Sequence, residues 1–89
     1  MAQVNFQGHL VHEDLVSTLR AVTTMRVPNA ANMEYHIFPD NLLLILWHDG
    51  NGVVVEEYIN QFDTPALLQE ANRVLQALLG LPFSELNHP

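Results

Sequence analysis

Apolar and polar residues change rhythm along this chain, and each rhythm predicts an element. Ala2 to Gln7 alternate, which suits a short edge strand or a docked arm, and Gly8 breaks the pattern. The spacing then turns helical: Val11, Leu15, Leu19, Val22 and Met25/Arg26 predict a helix from about Val11 to Arg26. Glu13 and Asp14 near its start and Arg20 and Arg26 toward its end suit the helix dipole. Pro28 prevents continuation, and Asn29 to Asn32 read as a connecting loop. Three strands follow, Met33–Phe38, Leu42–His48 and Val53–Ile59, joined by turns rich in Asp, Asn and Gly.

The last helix is the best punctuated. Thr64 is a natural N-cap, and Pro65 suits the first helical position. Leu67, Leu68, Ala71, Val74, Leu75, Leu78 and Leu79 make a broad apolar stripe, Gly80 suits a left-handed C′ residue, and Pro82 follows. A frayed tail is expected from Ser84 to Pro89. The predicted fold is one α+β domain of order (β)αβββα. It consists of a three-stranded antiparallel meander, with room for a fourth N-terminal edge strand, and two helices packed on one face.

The run Leu42-Leu43-Leu44-Ile45-Leu46-Trp47 is the most informative feature. It lies between Asp40-Asn41 and Asp49-Gly50-Asn51-Gly52, so it has strand length. A strand alternates its side chains between two faces, so an unbroken apolar run requires cover on both. Little chain is available for that, which points to a partner.

The turns give a provisional register. A two-residue turn at Asp40-Asn41 pairs Ile37 with Leu44 and Tyr35 with Leu46. A four-residue turn over Asp49 to Gly52 pairs His48 with Val53 and Leu46 with Val55. Directly paired residues share a face. One face then carries Met33, Tyr35, Ile37, Leu42, Leu44, Leu46, His48, Val53, Val55, Glu57 and Ile59, and should receive the helices. The other carries Phe38, Leu43, Ile45, Trp47, Val54 and Tyr58, rimmed by Glu34, His36 and Glu56. That second set has the composition of an interface centred on Trp47 and Tyr58. A one-residue slip in register would exchange the faces.

Charge and composition narrow the classes. Ten acids face three arginines and no lysine, for a net charge of −7. That balance disfavours binding to nucleic acid or to an anionic membrane surface. The acids are scattered, with Glu13-Asp14 and Glu56-Glu57 the only adjacent pairs, which favours a solubilising role over nucleic-acid mimicry. With no cysteine, disulfides and thiolate metal sites are excluded. No apolar stretch approaches the ~20 residues that span a bilayer, and Met1 to Leu10 lacks the features of a secretory signal. A cytoplasmic protein of bacterial type is the expectation.

Candidate chemistry is sparse. His9, His12 and Glu13 have a spacing that would present ligands on one helical face, but no fourth ligand stands nearby, so no metal is assigned. His36 and Glu56 flank Ile45 at ~10 Å, too far apart for an acid–base pair within one subunit. Across a two-fold axis His36 would instead meet Glu34 or Glu56 as a rim ion pair. His48-Asp49 reads as a turn start, since Ser17 and Ser84 lack a nucleophile-elbow context. No phosphate loop or cofactor motif is present.

The function expected is therefore a small, acidic, non-enzymatic protein-binding or adaptor module, homodimeric through the open sheet face. One alternative is a small-ligand protein or enzyme with an apolar pocket between sheet and helices, using Tyr35, His48 and Glu57 as its polar groups. Another is an acidic inhibitor from a mobile element or phage that blocks a basic protein surface.

Overall fold

The structure, a computed structural model, describes residues 2–6 and 8–81. The expected frayed tail lies outside the described residues. The element order is β1 (Gln3–Phe6), β2 (His9–His12), α1 (Glu13–Thr23), β3 (Asn32–Phe38), β4 (Leu42–His48), β5 (Val54–Gln61) and α2 (Pro65–Leu78). This is an α+β fold with a three-stranded antiparallel sheet, ordered β3-β4-β5, and a separate two-stranded sheet, β1-β2. The chain forms two compact units, Met1–Met25 with Gln69–Pro89, and Arg26–Leu68.

In the first unit the alternating N-terminal segment pairs with His9–His12 as a hairpin and does not extend the larger sheet. Gly8, at φ +89°, lies in the connection, in a conformation that costs glycine little. Helix α1 therefore starts later than its spacing suggests, because Val11 and His12 belong to β2. Buried apolar residues of this unit are Val11, Val16, Leu19, Ala71, Val74 and Leu75. His12 Nδ1–H donates to Glu70 Oε2 at 2.9 Å, tying β2 to α2.

Helix α2 has the expected ends. Leu67 N–H donates to Thr64 Oγ1 at 3.1 Å, an N-cap bond. At the other end Gly80 N–H donates to Ala77 O and Leu81 N–H donates to Gln76 O, with Gly80 at φ +71°. Those two bonds make a Schellman motif. Asn72 and Gln76 on α2 are buried although polar, which the apolar stripe did not indicate.

In the second unit the first hairpin has a three-residue connection, Pro39-Asp40-Asn41, with Asp40 and Asn41 in the left-handed region at φ 65° and 62°. A two-residue turn would have set Pro39 in the ladder opposite Leu42. Proline has no N–H to donate there, so it belongs in the loop. Asp and Asn tolerate the left-handed conformation better than most residues. The second hairpin is organised by Asp49, whose Oδ1 accepts from the N–H groups of Asn51 and Val53. A register shift beside Val55 follows, because His48 pairs with Val54 but Trp47 pairs with Glu56.

Candidate functional site

The three-residue loop moves the β3–β4 register by one, so Ile37 pairs with Leu43, His36 with Leu44 and Tyr35 with Ile45. This corrects the expected pairing of Ile37 with Leu44. Between β4 and β5 the observed pairs, Leu46 with Glu57 and Leu44 with Ile59, differ from those expected by an even number of residues. Their grouping by face is therefore unchanged along most of that hairpin.

The two faces are consequently reassigned. One carries Met33, Tyr35, Ile37, Leu43, Ile45, Trp47, Glu56, Tyr58 and Asn60. Leu43 and Ile45 are fully buried and Trp47 is 4% exposed. The other carries Glu34, His36, Phe38, Leu42, Leu44, Leu46, His48, Val54, Glu57, Ile59 and Gln61. The nine residues expected to form one interface do not share a face. Glu34, His36, Phe38 and Val54 lie on the open one, while Leu43, Ile45, Trp47, Tyr58 and Glu56 lie on its opposite. The expected pocket groups do not converge either, because Tyr35 is on the face opposite His48 and Glu57.

The open face has an apolar centre and a polar rim. Leu42, Leu44 and Leu46 run down its middle and are half-buried. Phe38, Val54 and Ile59 stand beside them, 42%, 47% and 56% exposed. Glu34 organises one flank. His36 Nε2–H donates to Glu34 Oε2 at 2.7 Å, and His48 Nε2–H donates to Glu34 Oε1. The bond from His48, then that from His36, holds the Glu34 carboxyl below its ordinary value. His36 thus meets a carboxylate of its own strand, two residues away on the same face, and needs no second subunit to do so. Its ring also lies 6.2 Å from that of Phe38, centroid to centroid.

No family model, curated protein or solved structure matches this chain. Its functional reading therefore rests on the geometry. Beside His48 the surface forms an open depression over Asn32, Glu34, Asp49, Gly50 and Gly52. In the first unit a cavity of about 170 Å³ is lined by Phe6, His9, Val11, Arg73, Gln76, Ala77 and Leu81. His9 and His12 are three apart on a strand, so they project to opposite faces, unlike the helical arrangement their spacing suggested. Among the described residues no group of three His, Cys, Asp or Glu side chains is arranged to hold a metal ion. No described helix is long and apolar enough to cross a membrane.

Sequence reasoning missed Leu42, Leu44, Leu46 and Ile59 as the apolar stripe of the open face. The available signal was Pro39, which argues against the two-residue turn.

Proposed function

We propose that this chain is a small acidic protein-binding module, without enzymatic activity, that self-associates as a homodimer through its open sheet face. One observation carries this reading. The central strand is apolar on both faces, and the face bearing Leu42, Leu44 and Leu46 keeps Phe38, Val54 and Ile59 exposed around it. An antiparallel sheet that simply met water would alternate to polar residues on that side. Contiguous apolar surface of several hundred Å² marks an interaction site in most soluble domains, and an apolar centre with a polar rim is how such sites are built. A two-fold axis near Leu44 would set this stripe against its own copy, with the Glu34–His36–His48 cluster at the margin.

Light scattering at several concentrations tests the reading. The wild type should have twice the monomer mass. Leu44→Glu should be monomeric with little change in melting temperature, because Leu44 lies on the open side. A wild type that stays monomeric at high concentration refutes self-association.

A further inference from the structure

The open face ends at an open edge. Among the described residues no strand pairs with the outer side of β5. Phe62 N–H donates to Asn41 O at 2.9 Å, and this bond sets the alternation of the ladder. The hydrogen-bonded pairs are then Leu43 with Asn60 and Ile45 with Tyr58, so the backbone groups of Glu57, Ile59 and Gln61 point away from β4. Edge strands are normally kept short, or blunted by charged residues, proline or a bulge. β5 is eight residues long with no lysine or proline, and the charges it carries are the two acids Glu56 and Glu57. Val54, Val55, Glu56 and Glu57 are all exposed, and Ile59 is more than half exposed. The irregularity beside Val55 lies at the turn end and leaves Glu56 to Gln61 in regular register.

Charge selects the occupant. The unit Arg26–Leu68 contains six acids, Glu34, Asp40, Asp49, Glu56, Glu57 and Asp63, against the single cation Arg26. Glu56 and Glu57 sit at the middle of β5, one on each face. If β5 paired with its copy about a two-fold axis at the strand centre, four carboxylates would crowd that axis, and the chain has no lysine to offset them. The same two acids attract a strand that carries cations opposite them.

We propose that β5 receives an extended cationic segment of a partner protein as an added strand. The complementary pattern is apolar-x-cation-cation, read opposite Ile59, Tyr58, Glu57 and Glu56. The apolar residue falls beside Ile59 on the open face, one cation beside Glu57 on that face, and the other beside Glu56 on the opposite face. Main-chain bonds to Ile59 and Gln61 hold the segment, and the charges choose it. This rests on the protein-binding reading and names the partner's chemistry.

The test uses the full chain, ¹⁵N-labelled, with a synthetic peptide containing Ile-Thr-Arg-Arg and a second peptide of the same sequence N-methylated at alternate amides. The first peptide should slow amide exchange at Ile59 and Gln61 and bind more weakly as salt rises. The methylated peptide should fail to bind. Glu56→Gln with Glu57→Gln should weaken binding about five-fold or more, as expected for two exposed charge pairs. Unchanged exchange at Ile59 under saturating peptide, or equal binding of the methylated form, overturns the proposal. So does exchange at Ile59 that slows with protein concentration alone, since that shows β5 pairing with its own copy. Light scattering on the same samples separates the two readings. A dimer that ignores the peptide refutes only the edge-strand proposal, and a monomer that binds it refutes only self-association.

Discussion

Replacing Trp47 by alanine tests the reassignment of the sheet faces most directly. Were Trp47 on an open interface, its loss would separate subunits and leave each one folded. Its side chain is instead 4% exposed, beside Leu43 and Ile45 on the buried face. An aromatic side chain of this kind removes ~150–250 Å² from water, which at ~25 cal/mol per Å² is about 4–6 kcal/mol as an upper bound. Alanine keeps the Cβ and the surroundings relax in part, so the loss should fall near the ~3–5 kcal/mol typical of such truncations. At ~0.05–0.15 kcal/mol per residue, a chain of 89 residues has a total stability of only ~4–13 kcal/mol. The melting temperature should therefore fall by at least ~12 °C. Urea unfolding followed by far-ultraviolet circular dichroism measures this without relying on the missing indole. A loss below about 1 kcal/mol at an unchanged m-value would refute the placement of Trp47 in the core.

Three further outcomes follow from local geometry. Thr64→Ala removes the acceptor for Leu67 N–H and should cost about 1 kcal/mol in urea unfolding, with Thr64→Ser restoring most of it. Gly80→Ala forces a side chain into the left-handed region at φ +71° and should cost about 1–2 kcal/mol, measured the same way. Glu34 has its folded-state pKa depressed by His48 and His36, so its contribution is present above the ordinary value of 4.5 and disappears as pH falls through the folded-state value. Glu34→Gln should accordingly show a flatter loss of stability below pH 4.5 than the wild type, and parallel curves would show that the two histidine bonds do not persist in solution.

The elements were legible because their signals are local. Thr64, Pro65 and Gly80 bracket α2 as cap chemistry requires, and the Asp, Asn and Gly clusters bracket β4. The N-terminal hairpin was less so, because Val11 fits both the helical spacing of α1 and the alternation of β2, and periodicity cannot assign a residue that satisfies two periods. The candidate site was the least legible part. Both faces of β4 are apolar, so hydrophobicity could not say which was buried, and that decision passed to the length of a loop. Pro39 argued against the two-residue turn, yet the consequence of that turn reaches every side chain on β3. Burial of Asn72 and Gln76 had no signal at all, since polar residues within a helical stripe normally mark its exposed side.

The Pro39-Asp40-Asn41 loop also changes what insertions and deletions mean for this molecule. Surface loops generally absorb them at little thermodynamic cost. Here Phe38 and Leu42 stay directly opposite whatever the number of residues between them, so a change confined to the loop keeps the sides of β3 and β4 matched. Removing one residue inside β3 would instead oppose the residues before it to the other set of β4 side chains, and the strand would have to choose between its turn and its core. Removing or adding two there would keep the sides matched. Tolerance should therefore be broad in the loop and alternate with length inside the strand.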